Sequence, residues 1–87
     1  MGFVYILNSD KNGTYYIGST SNLERRIEEH NQGRSKYTSG ILPIKLVFYQ
    51  QYPTLVQARK VEYKLKKLKR KDIIERIITD GRISMGP

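Results

Sequence analysis

The sequence predicts an α/β fold of the α+β type, in which a three-stranded, mainly antiparallel sheet is flanked by helices. Two short apolar runs are separated by turn residues, and a third, aromatic-rich run follows later. Apolar residues at helical spacing occur between and after these runs. The length of 87 residues is that of one small domain, which we expect to span residues 1–80.

A β-hairpin is predicted at the start of the chain. Residues 3–7 and 14–17 are rich in β-branched and aromatic side chains, and SDKNG between them supplies turn residues. Because side chains alternate along a strand, Tyr5 shares a face with the first and last residues of its run. On the second strand, Tyr16 shares a face with Gly18.

A helix is predicted over about residues 22–31. The sequence SNLE at 21–24 is a capping-box pattern, and the helical period stops before a glycine. At about 100° per residue, His30 falls in the same narrow sector as the apolar residues, with Arg26 at its edge and Arg25 on nearly the opposite side. The helix should therefore present Arg26 and His30 beside the sheet and Arg25 to solvent.

A loop, a third strand and two further helices complete the predicted fold. Residues 34–44 are rich in Ser, Thr, Gly and Pro, which indicates a loop, and residues 45–52 have strand-like composition. A helix should begin near Thr54. Its apolar period changes sides after Leu68, so we predict a break there and a second helix beyond it. Residues 81–87 show no periodicity and are expected to be a frayed tail.

The charge of the chain favours a polyanionic partner. Lys and Arg number 16 against 8 Asp and Glu, which gives a net charge of +8 and a pI of about 9.9. Half of the basic residues fall in residues 59–71, where Glu62 is the only acid. The alternative is a solvated helix face, since Lys-rich helices are common. No membrane partner is expected, because the apolar stripe of this helix is narrow.

The sequence also excludes several classes of protein. It contains no cysteine, so neither a disulfide framework nor a cysteine-based zinc site is possible. It has no signal-peptide pattern and no run of about 20 apolar residues. Ile6 stands where a myristoylation motif requires Ser or Thr. We therefore expect a soluble, cytoplasmic protein.

Several motifs follow one another in a fixed order along residues 3–80. They are FVYIL, YIG at 16–18, Arg26 with His30, KYT at 36–38, LPIKLVFYQ, and the basic ARKVEYKLKKLKR with its lone glutamate. This ordered set resembles the GIY-YIG nuclease superfamily, specifically its small single-domain bacterial members. The first signature triplet here lacks the usual initial glycine but keeps the tyrosine.

The resemblance implies a GIY-YIG-like fold and a metal-dependent endonuclease that hydrolyses phosphodiester bonds in DNA, or alternatively RNA, one strand at a time. Tyr5 matches the first signature tyrosine, the proposed general base for the attacking water. Tyr16 matches the second, which orients that water, and Gly18 is the signature glycine.

The remaining catalytic roles implied by the resemblance belong to three charged or titratable residues. Arg26 corresponds to the arginine that contacts the scissile phosphate. His30 occupies the position of the histidine that assists proton movement at the tyrosine. Glu62 occupies that of the carboxylate holding one divalent metal, normally magnesium.

Elementary chemistry agrees with these roles. A guanidinium stabilises phosphate oxygens through two parallel hydrogen bonds. Magnesium prefers oxygen ligands and keeps several waters, so one carboxylate plus substrate phosphate can suffice. A tyrosine with its ordinary pKa near 10 is a poor base at neutral pH. Positive charge from Arg26, His30 or the metal is therefore expected to lower the pKa of Tyr5.

Each candidate also has an ordinary structural explanation. The tyrosines suit a sheet, His30 suits a helix end, and Glu62 has Lys66 four residues on as an ion-pair partner. Two rival functions follow: a nucleic-acid-binding module with the nuclease fold but negligible turnover, and an interaction protein bound through the Lys-rich helix. Residues predicted to contact nucleic acid are Lys36, Tyr37, Lys64, Lys66, Lys67, Lys69, Arg70 and Lys71.

Overall fold

Three strands and three α-helices make up the fold, as predicted. The computed structural model describes residues 1–84. The elements are β1 (Gly2–Ser9), β2 (Tyr15–Thr20), α1 (Leu23–Asn31), β3 (Ile44–Tyr52), α2 (Leu55–Leu68) and α3 (Lys71–Asp80). The strands form one antiparallel sheet in the order β2-β1-β3, so β1 is central and β2 lies at an edge.

The two faces of the sheet carry two separate hydrophobic cores. Val4 and Ile6 of β1 face the larger core, which α2 and α3 cover with residues such as Val61. Tyr5 and Leu7 face the smaller core, which α1 and the following loop cover. The alternation expected for β1 is therefore observed, and it assigns the signature tyrosine to the side of α1.

The N-terminus of α1 differs by one residue from the predicted capping box. Asn22, and not Ser21, is the capping residue, and its Oδ1 accepts a hydrogen bond of 3.2 Å from the backbone N–H of Arg25. Asn22 has an extended backbone, which lets its short side chain reach the third N–H of the helix.

The predicted break between the last two helices is confirmed. Lys69 adopts a left-handed backbone conformation with φ of 51°, and this ends α2. The turn lets the apolar faces of both helices meet the same core, with Leu65 on α2 and Ile74 on α3. No helix within residues 1–84 has the length and apolar character needed to span a bilayer.

The expectation of a frayed tail is wrong at Ile83. Ile83 is only 6% exposed and joins the larger core. Its N–H donates a 2.8 Å hydrogen bond to Gln50 Oε1 on β3, and its carbonyl accepts from Gln50 Nε2 at 3.4 Å. A single apolar residue beside a strand has no periodicity, so the pattern could not reveal it. Residues 85–87 of the predicted tail lie outside the described residues.

Candidate active site

A chain of three buried polar side chains lies on the α1 side of the sheet. Tyr5 Oη is 3.0 Å from His30 Nε2, and His30 Nδ1 is 2.7 Å from Thr38 Oγ1. All three residues are 1% exposed or less. Buried polar groups are costly unless they are paired, so each member of this chain fixes the next.

Each member of the chain comes from a different element. Tyr5 is on the central strand, His30 lies in the last turn of α1, and Thr38 lies in the loop that follows. The backbone of Thr38 is itself held, because its N–H donates to the Ser35 carbonyl at 3.2 Å and its own carbonyl accepts from Ile41 at 3.0 Å. Thr38 was not predicted as a site residue, and its place in the KYT match was the only signal for it.

His30 is a neutral imidazole at neutral pH. Burial, together with the nearby positive charge of Arg26, lowers the pKa of His30 to about 4. A neutral ring carries one N–H. The tautomer that donates from Nδ1 to the Thr38 hydroxyl leaves the Nε2 lone pair facing the Tyr5 hydroxyl. In that tautomer His30 can accept a proton from Tyr5.

The expected lowering of the Tyr5 pKa is wrong for the free protein. Burial raises the pKa of Tyr5 to about 12, and this exceeds the lowering caused by its hydrogen bond with the Arg26 guanidinium. His30 contributes no positive charge because it is neutral. The phenol is therefore protonated at neutral pH and can act as a base only if it passes its own proton to a neighbour.

Gly18 and Tyr16 shape the space around Tyr5. Gly18 pairs with Tyr5 across the hairpin, and a Cβ at this position would lie 2.5 Å from Tyr5 Cζ, so only glycine lets the phenol lie across β2. The Tyr16 ring centroid is 6.4 Å from that of Tyr5 and 5.2 Å from that of His30. Tyr37, which is 76% exposed, stacks on Tyr16 at 6.5 Å and forms the solvent side of the site.

The two arginines of α1 are separated as helical geometry predicted. The Arg26 side chain is 33% exposed and that of Arg25 is 77% exposed. The hydrogen bond with Tyr5 raises the pKa of Arg26, and Glu29 Oε1 lies 3.3 Å from Arg26 Nη1. Arg26 therefore presents a fixed positive charge at the solvent side of the Tyr5 hydroxyl.

Glu62 reaches the site from the other side of the sheet. It accepts a hydrogen bond from Ser19 Oγ on β2 and forms a 2.7 Å ion pair with Lys66 Nζ. The Lys66 ammonium also lies 5.5 Å from the Tyr16 ring centroid. Because α2 and Tyr16 pack against opposite faces, the Lys66 ammonium and the Tyr16 ring meet at the edge formed by β2. The ordinary i,i+4 partnership of Glu62 is thus present in the structure.

The surroundings of Glu62 determine whether the implied magnesium ion could bind there. Within residues 1–84, no group of three or more His, Cys, Asp and Glu side chains converges on one point. Glu62 is a hard oxygen donor, its side chain is 19% exposed, and the Ser19 hydroxyl is beside it. This set fits an ion that keeps several waters and takes further oxygens from a phosphate. The Lys66 ammonium would have to leave the carboxylate.

The residues predicted to contact nucleic acid fall on three surfaces. Lys36 and Tyr37 are exposed on the loop next to Tyr16. The other six divide between a groove at the junction of α2 and α3, lined by Lys66, Lys69, Arg70 and Lys71, and the outer face of α2, which carries Lys64 and Lys67. Of the two surfaces on α2, the groove shares Lys66 with the site, whereas the outer face shares none of its lining residues.

Comparison with known proteins decides the family. The model of the GIY-YIG catalytic domain matches residues 1–76. The chain belongs to the GIY-YIG family. This GIY-YIG domain is 42% identical over 78 residues to a UPF0213 protein of Clostridium perfringens, covering 88% of this chain and 83% of that protein. It is 38% identical over 71 residues to a UPF0213 protein of Halobacterium salinarum, covering 80% of this chain and 91% of that protein.

A solved structure supports the same assignment. The solution NMR structure of a UPF0213 protein from Bacillus halodurans matches this GIY-YIG domain with a TM-score of 0.57 and 35% identity, covering 93% of this chain and 87% of that one. The predicted fold and the predicted resemblance to small GIY-YIG proteins are both confirmed. Membership indicates nuclease-type chemistry, and domains of this family typically act on nucleic acid.

Proposed function

We propose that this GIY-YIG domain is a magnesium-dependent endonuclease that hydrolyses phosphodiester bonds in DNA, with RNA as an alternative substrate. The observation that carries the proposal is the buried hydrogen-bonded chain from Thr38 through His30 to Tyr5. It supplies an acceptor for the tyrosine proton next to a guanidinium that suits phosphate. A purely structural tyrosine would need one hydrogen-bond partner but not a guanidinium beside its hydroxyl.

The proton acceptor matters because a preformed tyrosinate is too costly. With a pKa of about 12, deprotonating Tyr5 at pH 7 costs roughly 7 kcal/mol, five pKa units at about 1.4 kcal/mol each. In a relay no tyrosinate forms. The cost is then that of protonating His30, whose pKa of about 4 makes it a weak acceptor until a phosphate anion offsets the positive charge of Arg26. The phenol takes a proton from the attacking water while giving its own to His30 Nε2, 3.0 Å away.

The other side chains position the substrate and the water. Arg26 binds non-bridging oxygens of the scissile phosphate and stabilises the charge that grows there. Tyr16 borders the same space and orients the attacking water. Glu62 would hold the magnesium ion, whose chemistry is to stabilise negative charge on the phosphate and leaving oxygens.

A second candidate function is supported by a specific observation. The Glu62 carboxylate is already held by Lys66 and by Ser19. If nucleic acid does not displace Lys66, no magnesium ion binds there and turnover is negligible. The domain would then bind nucleic acid without cleaving it.

Nicking of supercoiled plasmid, measured once with magnesium and once with chelator, distinguishes the two functions. The variants Arg26→Ala and Arg25→Ala each remove one arginine of α1, and only the first removes the proposed phosphate contact. A nuclease nicks only with magnesium, loses activity in Arg26→Ala and keeps it in Arg25→Ala. A binding module shifts the plasmid in a gel without nicking it. Equal activity of both variants would contradict the role of Arg26. Single-stranded, branched and RNA substrates run beside the plasmid define the preferred nucleic acid.

A further inference from the structure

A groove of about 410 Å³ lies next to the site, between the hairpin turn and the junction of α2 with α3. Its floor is apolar and consists of Ile17, Leu65 and Ile74, whose other surfaces belong to the larger core. Its rim is strongly basic and contains Lys66, Lys69, Arg70 and Lys71, with the Tyr15 ring among them. An apolar floor with a few charged groups at the rim is typical of a site for a small anionic unit.

Two of the four cations at the rim have no carboxylate partner within residues 1–84. Lys66 is paired with Glu62, and Arg70 is paired with Asp72 at 2.7 Å. Within residues 1–84, neither Lys69 nor Lys71 forms an ion pair. The left-handed conformation of Lys69 ends α2 and so brings both side chains to the same rim. The Lys71 ammonium lies 5.8 Å from the Tyr15 ring centroid, which holds it over the groove.

Lys66 makes the groove continuous with the candidate active site. Its side chain lines the groove, and its ammonium contacts both Glu62 and the Tyr16 ring. A strand that has its scissile phosphate at Arg26 and Tyr5 and then follows Lys66 would bring a flanking phosphate to the groove. If Glu62 is released to a metal ion, the Lys66 ammonium becomes available to that strand.

We infer that this groove binds a phosphodiester group flanking the scissile one, with Lys69 and Lys71 as its main contacts and the sugar against the apolar floor. The inference rests on the proposed function. The outer face of α2 is equally basic but lies apart: its lining is Val56, Arg59, Lys60, Tyr63, Lys64 and Lys67, none of which contributes to the groove. If DNA were attracted only by net charge, removing charges from either surface should weaken binding equally. If the groove is a phosphate site, removing charges from the groove should weaken binding more.

The test compares two variants that each remove two positive charges. Lys69→Asn/Lys71→Gln alters the groove, and Asn is chosen because it tolerates a left-handed backbone. Arg59→Gln/Lys60→Gln alters the outer face of α2. Binding to a fluorescein-labelled random DNA duplex is measured in chelator at several salt concentrations between about 50 and about 200 mM. Thermal unfolding of both variants verifies that they are folded.

The groove variant should lose about tenfold or more in affinity at low salt. The magnitude of its slope of log affinity against log salt should decrease by about 1.8, the amount expected for the loss of two phosphate contacts. The outer-face variant should keep nearly the wild-type slope. Equal losses in both variants, or no loss in the groove variant, would overturn the inference, as would a wild-type protein that binds no duplex.

Plasmid nicking separates failure of the inference from failure of the proposed function. A wild-type protein that does not nick but shows the expected difference between the variants retains the groove as a phosphate site and lacks the nuclease activity. A protein that nicks normally but loses affinity equally in both variants is a nuclease whose strand does not follow the groove.

Discussion

Acidification should destabilise the fold through a single residue, His30. The pKa of His30 is lowered to about 4 by burial, whereas a histidine in the unfolded chain titrates near its ordinary value of about 6.5. Between these values the unfolded state binds more protons than the folded state, so stability is fully present above about pH 6.5 and is lost as the pH falls toward 4. Between about pH 6.5 and pH 4, the free energy of unfolding should fall by roughly 3 kcal/mol in total.

Urea unfolding at pH 7 and pH 5 measures this effect while staying above the ordinary titration range of Asp and Glu. From the same two pKa values, the free energy of unfolding should fall by about 2 kcal/mol between the two conditions. Because glutamine cannot titrate, His30→Gln should be less stable than the wild-type protein at pH 7, but its free energy of unfolding should be nearly the same at pH 5. A wild-type protein with the same stability at both pH values, or an equal decline in His30→Gln, would refute this reasoning.

The remaining predictions concern the other members of the site. Thr38→Val should shift the His30 tautomer seen in ¹⁵N NMR spectra and lower the nicking rate, whereas Thr38→Ser should preserve both. An unchanged His30 tautomer in Thr38→Val would exclude a positioning role for Thr38. Gly18→Ala should cost about 1–3 kcal/mol in urea unfolding, because its methyl group overlaps the Tyr5 ring; wild-type stability would show that the ring can move away. Glu62→Ala should lower the nicking rate by about 10²-fold to 10⁴-fold, with metal-free affinity unchanged or increased; an active variant would place any metal elsewhere.

Local patterns predicted what depends on neighbours in sequence. The hairpin followed from alternation and turn residues, and the separation of Arg25 from Arg26 followed from the angle between successive helical residues. The break after Leu68 followed from a change in the apolar face. All three depend on chain geometry alone, and the structure reproduces them.

Features that depend on tertiary surroundings could not be predicted. Thr38 is a loop residue with no periodicity, and only the fold brings its hydroxyl to His30. The burial of Ile83 depends on a slot beside β3 and on the Gln50 side chain. The direction of the Tyr5 pKa shift required comparing a desolvation cost with the effect of Arg26, and a sequence contains neither quantity.

The position of the Lys66 ammonium at the β2 edge has a consequence for the solubility of the protein. An edge strand exposes backbone N–H and C=O groups that a strand from another molecule can pair with, and a lysine placed at the edge is one means of preventing this. An incoming strand at β2 would have to displace the Lys66 ammonium from both Glu62 and the Tyr16 ring. The same side chain would then both border the site and keep this edge from self-association, so replacing it would expose the protein to aggregation.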